Sequence, residues 1–143
     1  MLKFNENRTF GIEIEICSSN ISLQRITREE IAEAINNKGL HAVAESYNHI
    51  TRPHWKITTD ASCGLEIVSP ILKGRDGINQ LEKVCEALND IGAKVNKDCG
   101  VHIHHDVNDF QINNFKNLFK LYIKHEKNID KIMPNSRKGN NNQ

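Results

Sequence analysis

Apolar and polar residues alternate from Phe10 to Cys17, in the run Phe-Gly-Ile-Glu-Ile-Glu-Ile-Cys. Side chains at i and i+2 of a strand share a face. The run therefore predicts a strand over residues 9–17, with Ile12, Ile14 and Ile16 toward a core and Glu13 and Glu15 side by side on the other face. Trp55-Lys-Ile-Thr-Thr59 alternates in the same way and is rich in β-formers. Asp60-Ala-Ser-Cys-Gly64 supplies turn residues, and Leu65-Glu-Ile-Val-Ser69 runs back until Pro70 stops it, which predicts a β-hairpin. Gly100-Val-His-Ile-His-His-Asp-Val107 predicts another strand. Val101 and Ile103 would face the core, His102, His104 and Asp106 the opposite side. Leu40–Ala44 is a candidate strand, and Ala93–Val95 a short strand or a connection.

Elsewhere the apolar period is helical. Thr27-Arg-Glu-Glu30 reads as a capping box before the stripe Ile31, Ala34, Ile35, and Gly39 stops the helix. Asp76 is a candidate cap for a second helix with Ile78, Leu81, Val84, Cys85, Leu88 and Ile91 inward, so Cys85 is expected in the core. Asn108-x-x-Gln111 resembles a capping box for a third helix carrying Ile112, Phe115, Phe119, Tyr122, Ile129 and Met133. Glu126 falls on that stripe, where a carboxylate needs a partner or lies at the rim. The polar segment 135–143 is expected to be a mobile tail. The pattern predicts an α+β fold: a mainly antiparallel or mixed sheet with helices on one face, in one domain over residues 1–134.

Composition narrows the function. The chain has 143 residues and a formal net charge of +1. That length can build a core, and that charge gives no broad field for nucleic acid or a membrane surface. No apolar stretch approaches a membrane span, and the N-terminus lacks the apolar core of a signal peptide. The four cysteines form no CxxC pair and read as reduced thiols, so a cytoplasmic location is expected. Richness in Asn, Lys and Ile fits an AT-rich bacterial or phage genome.

Paired carboxylates on one face repel unless a cation or solvent separates them. Glu13 and Glu15 are therefore either the polar side of a half-exposed strand or part of a cation site. His102 and His104 repeat the arrangement, and alone could equally be two exposed histidines. Glu66 lies on the face away from Leu65 and Ile67, as an edge residue or a functional carboxylate. Asp60 enters the turn before it and is a candidate Asx-turn residue as well as a candidate for chemistry. Mostly oxygen ligands with one or two imidazoles favour Mg²⁺ or Mn²⁺. Cys63 and Cys99 keep zinc open, although no zinc-site spacing is present. Cys17, on the glutamate face, is a conceivable thiol nucleophile. No P-loop, Rossmann fingerprint or GxSxG is present.

Taken in order, these motifs form a set: Phe10-Gly-Ile-Glu-Ile-Glu, Asp60, Gly64-Leu-Glu-Ile-Val-Ser-Pro-Ile71 with Gly74, Cys99-Gly-Val-His-Ile-His104, Glu126, and Asn135-Ser-Arg137. The set resembles the amidoligase family, which is similar to glutamine synthetase and glutamate–cysteine ligase, and the match runs from about Phe10 to Arg137. The resemblance implies a curved, mainly antiparallel sheet and an ATP-dependent carboxylate–amine ligase, which phosphorylates a carboxylate and lets an amine displace the phosphate. By the match, Glu13, Glu15, Glu66 and His102 would hold Mg²⁺ or Mn²⁺. His102 and His104 would contact metal or phosphate oxygens. Arg137 would meet the nucleotide and stabilise transferred charge, and Asp60 would take part in catalysis. Partners would be a nucleotide and a small amine and carboxylate.

The family pattern normally continues beyond the Ser-Arg segment, so the chain is expected to be a truncated domain with an open sheet edge. A homodimer or a protein partner could complete that edge. Two alternatives stand beside the ligase. One is a non-catalytic binding or inhibitor protein, phage-type, on a truncated amidoligase fold. The other is a metal-dependent hydrolase using His102, His104 and Glu66.

Overall fold

The computed structural model describes residues 6–19, 22, 24–61 and 63–138. Its described residues form two compact units, divided after Asp106. In the first unit, β1 (Thr9–Cys17), α1 (Arg28–Asn37), β2 (Ala42–Ala44), β3 (Trp55–Asp60), β4 (Gly64–Val68), β5 (Leu72–Lys73), α2 (Gly74–Asp90) and β6 (Val101–His105) follow in order. The second unit holds α3 (Ile112–Asp130) and a 3₁₀ turn, Asn135–Arg137. The fold is α+β, as the alternation predicts.

The sheet is six-stranded. β1 is its axis: β4 pairs with residues 13–17 and β5 with residues 9–10, both antiparallel. β6 pairs antiparallel with residues 10–14. Glu13 and Ile14 pair with β4 and β6 at once, so these two strands flank β1 on opposite sides. β3 continues antiparallel from β4 through the expected hairpin, and β2 joins β3 in parallel. The sheet is thus mixed, and the parallel pair is joined by a non-helical crossover through residues 45–54.

Strand alternation builds the core. Ile12, Ile16, Trp55, Ile57, Leu65 and Ile67 are buried together with Ile31 and Ile35 of α1 and Val84, Ala87 and Leu88 of α2. Each such side chain contributes about 1.5–3 kcal/mol when fully buried. α1 starts as its sequence dictates: Glu30 N donates to Thr27 Oγ1 at 3.2 Å, and Thr27 N donates to Glu30 Oε2 at 2.7 Å. The Thr27 N–H and, at 2.8 Å, the Thr27 hydroxyl both donate to Glu30 Oε2 and hold that carboxyl below its ordinary pKa. Gly39, with φ +76°, then turns the chain.

Four details depart from the sequence reading. α2 begins at Gly74, so Asp76 lies in the first turn and does not cap it; the chain turns at Gly74 itself, which has φ +53°. Cys85 is exposed, because the inward stripe of α2 runs through Gly77, Val84, Ala87 and Leu88 and position 85 is about 100° away from 84. Val101 and Ile103 share the face of Ile12 and Ile14 yet are 62% and 59% exposed; β6 is an outer strand, while the helix–sheet contacts of α1 fall on β2 and β3 and those of α2 on β5. β5 is a strand that the pattern did not show, while Ala93–Val95 is a connection, one of the two readings its pattern allowed.

In the second unit, α3 starts at Ile112, and Gln111 N donates to Asn114 Oδ1 at 2.9 Å. Asn108 therefore precedes the helix without capping it. Glu126 is exposed. Arg137 ends the 3₁₀ turn and is exposed. Residues 139–143 of the expected tail lie outside the described residues. No helix among the described residues is long and apolar enough to cross a membrane.

Candidate functional site

The sheet face opposite α1 and α2 carries a grid of polar side chains, and the strand register dictates it. One row reads His102–Glu13–Val68–Lys56. The next reads Glu15–Glu66–Thr58, with Gly100 on its flank through Glu15 N–H donating to Gly100 O at 3.0 Å. The third reads Cys17–Gly64–Asp60. His104 stands beyond Glu13, opposite Gly11. The structure thus brings Glu13, Glu15, Glu66, His102, His104 and Asp60 to one face. Arg137 belongs to the second unit and is described there alone.

The contacts are close. His102 Nδ1 lies 3.0 Å from Glu13 Oε2, and His102 Nε2 lies 3.5 Å from Glu15 Oε1. His104 Nε2 lies 3.3 Å from Glu13 Oε1. Glu15 is 7% exposed, and its Oε2 accepts from Gly100 N–H at 2.7 Å. A side chain at position 100 would crowd the imidazole: a Cβ there would sit 3.2 Å from His102 Nε2, and in ordinary contact, 3.5 Å, with Glu15 Oε2. Burial raises the pKa of Glu66 first, and the charges of Glu13, Asp60 and Glu15 raise it further, against a smaller opposing effect of His102. The face is a concentration of negative charge in a nearly neutral chain.

Glu13, Asp60 and Glu66 also line a polar cavity of about 240 Å³. Its far wall is the β2–β3 connection, with Tyr47, Asn48 and His49. Tyr47 and His49 meet edge to face, with ring centroids 5.0 Å apart. Two anchors set this wall. Glu45 accepts from Arg52 Nε and Nη2 at 3.0 and 2.9 Å and from Asn48 Nδ2 at 3.0 Å, and its Oε1 lies 2.9 Å from His54 Nε2. Those bonds pull the Glu45 carboxyl down to a pKa of about 2. Lys56, only 4% exposed, donates from Nζ to Asn48 O at 2.7 Å, and to Asn48 Oδ1 and Ile50 O at 3.3 Å each.

The sequence reading passed over Lys56, Thr58 and the Tyr47–His49 wall. The signal for the first two was present: alternation about Trp55 and Ile57 puts Lys56, Thr58 and Asp60 on one face. The wall had none, since it depends on a loop folding back over the sheet. Thr58 is 1% exposed, and its Oγ1 has no hydrogen-bond partner among the described residues.

At the end of the grid, Asp60 and Cys63 close the β3–β4 turn. Cys63 N donates to Asp60 Oδ1 at 3.1 Å, so Asp60 does hold the turn it enters, through the N–H three residues on rather than the two of an Asx-turn. Glu15, Asp60 and Cys63 each offer a ligand atom, all within 4.8 Å of one another, a set able to hold a metal ion. The Cys63 thiol is pushed up to about 12 by burial, by its hydrogen bond to Asp60 and by the neighbouring charges. Cys17 Sγ lies 4.0 Å from Cys99 Sγ, and burial together with that contact raises the Cys17 thiol above its ordinary value.

Hard oxygen ligands with an imidazole, concentrated on one polar face, suit a divalent cation. No curated protein and no solved structure matches this chain. A family model described as "Putative amidoligase enzyme" matches residues 6–143, and the chain belongs to that amidoligase family.

Proposed function

We propose that the chain is an ATP- and magnesium-dependent carboxylate–amine ligase. The observation that carries the reading is the convergence of Glu13, Glu15, Glu66, His102 and His104 on one polar face in a member of an amidoligase family. The donor set fits a hard divalent ion, and the raised pKa of Glu66 reflects its burial first and then the carboxylates gathered around it. Glu13, Glu15, Glu66 and His102 would hold the metal. Magnesium, when bound, neutralises phosphate charge and aligns the transferring group, which is most of what phosphoryl transfer requires.

The chain's own residues do the rest. Glu13 and Glu15 are fixed by the register of β1 and by His102 and Gly100, so they need little reordering to take a cation. Lys56 and Glu45 hold the loop that walls the cavity. The cavity of about 240 Å³ is below the usual range of about 300–1,000 Å³ for drug-sized ligands. It suits a small amine or carboxylate substrate more than a whole nucleotide. His104 would meet a metal or a phosphate oxygen. Arg137 and Asp60 are proposed for catalysis, Arg137 for the negative charge of the transferred group.

The test is ADP release from ATP and magnesium in the presence of mixed small carboxylates and amines. The reading expects release that needs both substrate classes and falls at least about a hundredfold in Glu13→Ala. Release that ignores the amine, or survives in Glu13→Ala, would sink it.

A further inference from the structure

We propose that Glu15, Asp60 and Cys63 form a site for a thiophilic divalent cation of the zinc class, overlapping the oxygen set at Glu15 alone. The ligand atoms of these residues all lie within 4.8 Å of one another. Cys63 Sγ is 3.4 Å from Asp60 Oδ1. A tetrahedral zinc with ordinary Zn–S and Zn–O bonds separates such atoms by about 3.5 Å, so this edge of the polyhedron is already formed.

Glu15 supplies the second carboxylate from a fixed position, since it is 7% exposed and its Oε2 accepts from Gly100 N–H at 2.7 Å. A second observation points to a ligand on this face. Thr58 lies two residues before Asp60 on the same side of β3 and opposite Glu66. Its hydroxyl is 1% exposed and has no hydrogen-bond partner among the described residues. Buried hydroxyls without partners are uncommon, and each calls for a physical explanation.

The chemistry selects the ion. Magnesium takes near-octahedral oxygen ligands and keeps several waters, and it has no use for a thiolate. Zinc takes sulfur and carboxylate oxygen together, and three protein ligands leave one tetrahedral position for water. Binding forms a bond from the metal to Cys63 Sγ and releases the thiol proton to solvent. Because Glu15 is shared, zinc at this site would withdraw it from the magnesium set and inhibit the enzyme. That consequence rests on the ligase reading; the binding itself does not.

Cadmium is the probe, followed by its thiolate-to-metal absorption band in the full chain. Cys17 and Cys99, 4.0 Å apart, are a competing pair of thiols. The titration is therefore run on Cys17→Ser/Cys85→Ser/Cys99→Ser, in which Cys63 is the one remaining thiol, after circular dichroism confirms its fold. The proposal expects a saturable band of one thiolate per chain, lost when Cys63→Ser is added and weakened by Asp60→Asn. A folded single-thiol protein without a saturable band would overturn it, as would a single-thiol band that adding Cys63→Ser leaves untouched. Magnesium–ATP binding is measured on Cys63→Ser in parallel. Its absence from every variant would count against the ligase reading while leaving the cadmium result to stand by itself.

Discussion

Glu66 shows how a single carboxylate reports on the whole site. Its pKa is raised, chiefly by burial and then by Glu13, Asp60 and Glu15. A carboxyl with a raised folded-state pKa gives its full contribution to stability below the unfolded value, about pH 4.3, and loses it as pH rises through the folded value. In chelator-treated protein at pH 7, Glu66→Gln is therefore expected to melt above wild type. The gap should close below about pH 4. A divalent cation should raise the wild-type melting temperature and leave the variant nearly unmoved. A variant that melts below wild type at neutral pH would show that Glu66 is satisfied without a cation.

Gly100 makes a second prediction at this scale. A methyl there would press on His102 Nε2 at 3.2 Å. Gly100→Ala should turn the imidazole away and weaken divalent-cation binding by roughly 10- to 100-fold, the usual range for residues that orient ligands, with little change in melting temperature. Titration calorimetry with Mn²⁺ checks it. Both residues also show what was legible. Glu13, Glu15, Glu66, His102 and His104 were placed on one face by alternation alone. The role of Gly100 was not visible, because it depends on β6 pairing with β1 across a long separation in sequence.

At the scale of elements, the strands were readable and the loops were not. β1 and the β3–β4 hairpin match their patterns because a buried face forces the period. Cys85 was misread because an apolar residue one step off a helical stripe looks the same in sequence as one on it. Gly77 is where α2 meets the sheet most closely: a Cβ there would lie 2.8 Å from Leu72 Cβ and 2.9 Å from Phe10 Cζ. Gly77→Ala should destabilise the fold by about 1–3 kcal/mol through overpacking, despite the better helix propensity of alanine. Urea denaturation measures it, and an unchanged midpoint would show that α2 can shift.

The β2–β3 connection gives the other prediction. Glu45 has its pKa lowered to about 2. Its contribution is present above the unfolded carboxyl value of about 4.3 and is lost as pH falls toward 2. Glu45→Gln should raise amide exchange in residues 46–51 at pH 7 and leave the strands protected. Equal protection in variant and wild type would mean that Lys56 holds the wall without it.

At the scale of the molecule, the family match spans both units, residues 6–143, while the carboxylate–histidine grid lies within the first. Among the ordered motifs, those carrying Glu13, Glu15, Glu66, His102 and His104 lie on strands that present a charged or polar side chain, whereas Glu126 lies on α3 and Arg137 in the 3₁₀ turn. β6 remained harder to place. Its pattern gave the strand, while the exposure of Val101 and Ile103 follows from its outer position in the sheet, which local alternation does not encode.

The central claim is that the carboxylate face holds a metal–nucleotide. The most direct measurement is calorimetric titration of magnesium–ATP into the chain, beside a Glu13→Ala/Glu66→Ala variant of verified fold. The account predicts saturable binding by the wild type and its loss in the variant. Absence of binding to the folded wild type, or undiminished binding by the variant, would contradict it.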